Sequence, residues 1–143
     1  MISPFVLLVD DEVPFVETMS KRLTKRQLMV LSAYSGREAL EKLEKNAVDV
    51  VILDVKMPAM DGIETLREIK KSHPLVEVIM LTGHATIETA VEGMRLGAFD
   101  YLMKPCEIEE LLAKVGEAKE KKSKHEQKIM DARMKEITLR RGM

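Results

Sequence analysis

A doubly wound α/β fold, with a parallel sheet covered by helices on both faces, is what this sequence predicts. Three features predict it. Five short apolar runs recur along the 143 residues. Several are apolar at consecutive positions, the pattern of strands buried on both faces rather than one. Stretches with helical apolar spacing separate each run from the next, and such alternation builds parallel β–α units.

The first run is FVLLV, residues 5–9. Pro14 then suits the first turn of a helix carrying Val16, Met19 and Leu23. LMVLSA, residues 28–33, is the second run. Ser35 and Glu38 follow with capping-box spacing, ahead of Ala39, Leu40 and Leu43 on one face. VVIL, residues 50–53, is the third run, and Asp61 and Glu64 repeat the capping spacing before Leu66 and Ile69. VIML, residues 78–81, precedes Ile87, Ala90, Val91 and Met94, one apolar stripe at i, i+3, i+4 and i+7. FDYLM, residues 99–103, leads to a fifth helix through Ile108, Leu111, Leu112 and Val115. Right-handed crossovers leave few ways to connect five such units. The predicted arrangement is flavodoxin-like, with strand order 2-1-3-4-5 and a helical extension at the C-terminal end.

Composition is that of one globular domain, 45% apolar and 33% charged. The net charge of −1 favours neither nucleic acid nor membrane. The charge is divided, however. Residues 1–116 hold 14 Lys and Arg against 19 Asp and Glu, whereas residues 117–143 hold 9 against 5. The expected organisation is a body over residues 1–118 and a charged helical tail over 119–143, without a usual output domain. Cys106 is the single cysteine, which excludes an intrachain disulfide and fits a reducing cytosol. The start, MISPFVLLVDDE, lacks the basic lead of a signal peptide. No apolar run approaches the roughly 20 residues that span a bilayer. The expected location is the cytoplasm.

In a doubly wound sheet, ligands sit outside the carboxyl ends of the strands. The residues at or after those ends are Asp10 and Asp11, Asp54, Thr82 and Lys104. Three carboxylates in one cleft repel one another unless a cation joins them. Hard oxygen donors suit Mg²⁺, which usually takes one or two carboxylates and phosphate oxygens. A cleft with acids, a hydroxyl and an ammonium suits an incoming phosphoryl group, whose transfer needs positioning and charge neutralisation. An aspartate can itself be the nucleophile. Taken singly, each residue has a plainer reading. Asp61 is read as a helix cap, Thr82 as a turn residue, Lys104 as a solvated lysine and Tyr101 as core. VVILD also looks like the acidic strand of a nucleoside-triphosphatase, but Gly-x-x-x-x-Gly-Lys-Ser/Thr occurs nowhere. Joint placement at successive strand ends favours the functional reading.

VLLVDDE, VVILDVKMPAMDGIE, VIMLTGH and GAFDYLMKP, spanning residues 6–105, resemble the receiver domains of two-component response regulators. TGHATIETAVEGMRLGAFDYLMKP is especially similar to receivers of nitrogen-regulator-class transcriptional activators. The resemblance implies that Asp54 accepts a phosphoryl group from a sensor histidine kinase. It implies that Asp10, Asp11, Asp54 and the backbone carbonyl of Lys56 hold Mg²⁺. Thr82 and Lys104 would each bind a phosphoryl oxygen, and Tyr101 would change rotamer with Thr82. Lys56 and His84 would tune the phosphate's lifetime, with a solvated residue as the alternative for His84. Lys104–Pro105 would be cis. The partner-binding or dimerising surface would be that of the fourth helix, fifth strand and fifth helix. Such a domain is not an enzyme, since it catalyses only its own phosphorylation and dephosphorylation. Cys106 departs from the bulky residue that relatives frequently carry there.

Past Glu117, Glu–Lys and Asp–Lys pairs at i, i+4 support a continued helix. A 3.5-residue seam from Ile108 meets Lys122, His125 and Glu136, so a solvated helix is favoured over a coiled-coil dimer. With 9 positive charges offset by 5, direct nucleic-acid binding is not expected. Two other functions fit the pattern less well. A pseudo-receiver that binds without phosphorylation conflicts with the intact acids, Thr82 and Lys104. A phosphohydrolase would need a second acid near Asp54, where Lys56 stands.

Overall fold

The computed structural model describes residues 3–57 and 60–142; Pro58 and Ala59 of the VVILDVKMPAMDGIE motif lie outside these. The strands are β1 (Phe5–Val9), β2 (Met29–Ala33), β3 (Val50–Leu53), β4 (Glu77–Thr82) and β5 (Asp100–Met103). The helices are α1 (Val13–Lys25), α2 (Gly36–Lys45), α3 (Gly62–Ser72), α4 (Ile87–Arg95) and α5 (Ile108–Arg140). The strands form one parallel sheet in order β2-β1-β3-β4-β5. The predicted order and alternation are those observed.

Strand side chains alternate between two cores, as the period of two requires. Leu7, Val9, Val51, Leu53, Val78 and Met80 join Ala39, Leu43, Leu66 and Ile69 of α2 and α3. Val6, Leu8, Val50, Ile52, Ile79 and Leu81 join Val16, Met19, Leu23, Leu111 and Val115 of α1 and α5. Each buried Val, Leu, Ile or Met side chain among them contributes about 1.5–3 kcal/mol of transfer free energy. The unbroken burial of β3 therefore fixes where its next residue, Asp54, must lie.

Helix starts follow local chemistry. Ser35 Oγ accepts from the Glu38 N–H at 3.1 Å, while the Glu38 side chain pairs with Lys42 at 3.4 Å. The predicted box is therefore half formed there. The full reciprocal box is at Thr86 and Thr89. Asp61 caps α3 through the Glu64 N–H at 2.8 Å, as its spacing indicated.

The apolar stripe on α4 faces outward. Ile87 is 85% exposed, and Val91 and Met94 are also exposed, whereas Gly93 is buried. A Cβ at Gly93 would lie 3.7 Å from the Tyr101 ring and 3.8 Å from Met80, so the glycine side of α4 meets the sheet. The spacing predicted the helix correctly, but the body takes the opposite face. In α5, Ile108, Leu111, Val115 and Ala118 are buried against the body. The first half of the possible coiled-coil seam is thus core, and every described residue from 123 onward is exposed.

Candidate functional site at the carboxyl ends of the strands

The parallel sheet carries four of the predicted residues to one edge. Asp10 follows β1, donating its N–H to Ala33 O at 3.1 Å. Asp54 follows β3, donating its N–H to Val9 O at 3.0 Å. Thr82 closes β4, and its carbonyl accepts the Lys104 N–H at 2.9 Å beyond β5. Ladder bonds thus extend one residue past β1, β3 and β5 and lock the backbones of the polar residues. Asp10, Asp54 and Thr82 are all buried, and Lys104 is half-buried.

The Lys104 ammonium donates to Asp10 Oδ2 at 2.7 Å and to Glu12 Oε1 at 3.2 Å. It also lies 4.0 Å from the centre of the Phe15 ring, a cation–π distance. Asp54 Oδ1 accepts the Val55 N–H at 2.8 Å. Thr82 Oγ1 accepts the His84 N–H at 3.0 Å. The Lys104–Pro105 peptide bond is cis.

Carboxylate oxygens of Asp10, Glu12 and Asp54 lie within 4.8 Å of one another. At an effective dielectric of about 20, two full charges at that separation repel by about 3–4 kcal/mol. Burial pushes the Asp10 carboxyl up; the Lys104 ammonium and the Glu12 N–H oppose this, Asp54 adds to it, and the net direction is upward. Burial pulls Lys104 down, but Asp10, Asp54 and Glu12 outweigh it and hold the ammonium above its usual value. The direction at Lys104 reflects the carboxylates around it, whereas that at Asp10 reflects first its burial. An all-oxygen donor set of this kind fits a hard divalent cation.

Glu12 belongs to this cluster although the sequence did not single it out. Its N–H donates to Asp10 Oδ1 at 2.9 Å, a turn that brings its side chain back over the site. As N-cap of α1 it makes no side-chain cap bond. An acid two residues beyond a strand-end aspartate was the available signal. Asp11 is exposed, and its carboxylate is not among the converging oxygens. Lys56 and His84 are exposed beside the site. Tyr101 is half-buried, its hydroxyl 2.8 Å from Thr89 Oγ1 on α4.

Gly62 holds the Asp54 loop in place. Its N–H donates to Val55 O at 2.7 Å. A Cβ there would lie 2.0 Å from the Asp54 carbonyl oxygen and 2.6 Å from Val55 Cα. Only glycine permits that approach.

A sequence model of the response regulator receiver domain matches residues 6–116. The chain belongs to that family. The receiver is 40% identical over 113 residues to the transcriptional regulatory protein ZraR of Escherichia coli, covering 79% of this chain and 26% of that protein. It is 39% identical over 111 residues to the DNA-binding transcriptional regulator NtrC of Klebsiella pneumoniae, covering 78% and 24%. The receiver thus spans about a quarter of the length of these curated relatives. A receiver domain from Clostridium thermocellum superposes with a TM-score of 0.80 at 38% identity, over 84% of this chain and 97% of that one. A CheY-like receiver from Methanospirillum hungatei gives 0.82 at 31% identity, over 87% and 99%. The nitrogen-regulator-class resemblance of the motifs agrees with these relatives. The receiver is a phosphoacceptor signalling domain whose family implies a histidine kinase partner. No helix among the described residues is long and apolar enough to cross a membrane.

Proposed function

We propose that Asp54 is the phosphoacceptor. One observation carries the proposal: a buried carboxylate at the end of β3 shares its edge with Asp10, Thr82 and Lys104. A carboxylate oxygen of Asp54 attacks the phosphorus of a kinase phosphohistidine. The P–N bond breaks, the imidazole leaves, and an aspartyl-phosphate remains. Lys104 then exchanges Asp10 and Glu12 for a phosphoryl oxygen. Thr82 Oγ1 donates its proton to another. Asp10 and Asp54, with Glu12 beside them, would hold Mg²⁺, and Asp11 and the Lys56 carbonyl would complete its shell directly or through water. When bound, that ion offsets the negative charge of carboxylates and phosphoryl oxygens. In this reading the protein catalyses only its own phosphorylation and dephosphorylation, in the cytoplasm.

The switch follows from charge. A phosphoryl group adds negative charge and three acceptor oxygens. Thr82 moving towards it vacates space that Tyr101 can enter, once the ring leaves Thr89. The surface of α4, β5 and α5 then changes for a partner or a second receiver. Exposed Ile87, Val91, Met94 and Met103 support that surface as the contact. Lys56 and His84 tune the phosphate's lifetime from the rim. A transcriptional output is proposed by analogy with ZraR and NtrC, and the expectation against nucleic-acid contact concerns only this chain's own tail. The test is labelling with acetyl phosphate and magnesium. Asp54→Asn is expected to take no label; full stoichiometric labelling of that variant would exclude Asp54 as the acceptor.

A further inference from the structure

The opposite edge of the sheet holds two acids that the phosphoacceptor chemistry does not use. Asp49 immediately precedes β3 and Glu77 opens β4. Both are buried. Asp49 Oδ2 accepts the Phe5 N–H at 2.9 Å, and its Oδ1 lies 3.1 Å from Lys119 Nζ and 3.2 Å from Lys122 Nζ. Glu77 Oε2 lies 3.5 Å from Lys121 Nζ. Glu77 Oε1 is 3.7 Å from Lys70 Nζ and makes no hydrogen bond among the described residues. Three lysines within one turn of α5 therefore sit on two buried carboxylates.

This turn is where α5 leaves the body. Ala118 is the last buried residue of the helix. Gly116 precedes the turn, exposed, and a Cβ there would meet nothing within 4 Å. Packing does not require a glycine at that point, yet a glycine inside a helix weakens it relative to alanine. Most helical stability in proteins comes from tertiary packing rather than propensity, so the projecting part, exposed at every described residue from 123 onward, depends on how its root is held. Buried acids lose more than exposed ones when their partners depart, which favours the seated state. Burial pushes the Asp49 carboxyl up, but the Phe5 N–H, Lys119 and Lys122 outweigh it and hold it below its usual range.

We propose that Gly116 is a hinge, and that Asp49 and Glu77 with Lys119, Lys121 and Lys122 are a latch. Together they set whether residues 117–140 form a rod continuous with the receiver or a detached segment. Closed, the latch fixes the bearing of the rod against the sheet. Open, the helix bends or frays at Gly116 while Ile108, Leu111 and Val115 stay in the core. The latch is electrostatic and lies at the opposite sheet edge from Asp54, so it operates without phosphorylation.

Hydrogen exchange by mass spectrometry on the whole unphosphorylated chain tests this. The triple variant Lys119→Gln, Lys121→Gln, Lys122→Gln changes only helix-surface residues and keeps the core. It is expected to speed exchange over residues 117–126 at least tenfold, with the sheet and residues 108–115 unchanged. Asp49→Asn with Glu77→Gln is expected to do the same from the other side. Gly116→Ala is expected to slow exchange over the same segment severalfold. Unchanged exchange at 117–126 in the lysine variant would overturn the proposal. So would an equal acceleration throughout the chain, because the pairs would then hold the core rather than the rod.

Discussion

Adding one methyl group at Gly62 tests how tightly the Asp54 loop is constrained. Ordinary van der Waals contact begins near 3.4 Å, so a Cβ at 2.0 Å from the Asp54 carbonyl oxygen is too close by about 1.4 Å. The opposing atoms are backbone of Asp54 and Val55, which cannot rotate away as a side chain would. Either α3 or the loop must move. Overpacking of this kind costs about 1–3 kcal/mol, and rigid opponents place Gly62→Ala near the upper end. With a urea m-value of about 2 kcal/mol/M, the unfolding midpoint should fall by about 1 M or more. A displacement near 1 Å at the nucleophile should slow acetyl-phosphate labelling about 100-fold. Gly116→Ala is the matched control, since its Cβ meets nothing and helix propensity should raise stability by about 0.5–1 kcal/mol. Urea denaturation followed by circular dichroism, with labelling rates on the same samples, reads both effects. If Gly62→Ala kept wild-type stability and labelling, the loop would not be held as described.

Three further outcomes are expected. Magnesium should stabilise the wild type by about 2.7 kcal/mol at 100 times its dissociation constant, seen in calorimetry as a raised thermal midpoint, and Asp10→Asn should lose most of that gain. Asp49 is held below its usual pKa, so its contribution to stability is present above the unfolded value near 3.8 and is lost as pH falls through the lower folded value. Asp49→Asn should therefore flatten the acid limb of the stability–pH curve, and an unchanged limb would contradict its contacts with Phe5, Lys119 and Lys122. Tyr101→Phe removes the 2.8 Å bond to Thr89 and should cost about 1 kcal/mol in urea denaturation; an unchanged midpoint would contradict that bond.

Apolar spacing was enough to read the element order, because β1, β3 and β4 are buried along nearly their whole length and the edge strands β2 and β5 still carry apolar runs. Strand ends then led to Asp10, Asp54, Thr82 and Lys104 by topology alone. Asp61 was legible as a cap, since an N-cap is a local feature. Glu12 was not, because its place in the cluster depends on a turn closed by Asp10 Oδ1. The outward face of α4 was also hidden. Periodicity reports that a helix has an apolar side, but not that Gly93 lets the other side approach Tyr101 and Met80. The lysine seat of α5 was out of reach for a similar reason. Lys119, Lys121 and Lys122 read as surface charges until the fold brings Asp49 and Glu77 beneath them.

The most direct test of the phosphoacceptor assignment is a structure of the receiver with magnesium and beryllofluoride. The mimic is expected on a carboxylate oxygen of Asp54, with Thr82 Oγ1 and Lys104 Nζ on its fluorines and Lys104 released from Glu12. Beryllofluoride bound at another residue, or Lys104 and Thr82 turned away from it, would contradict the account.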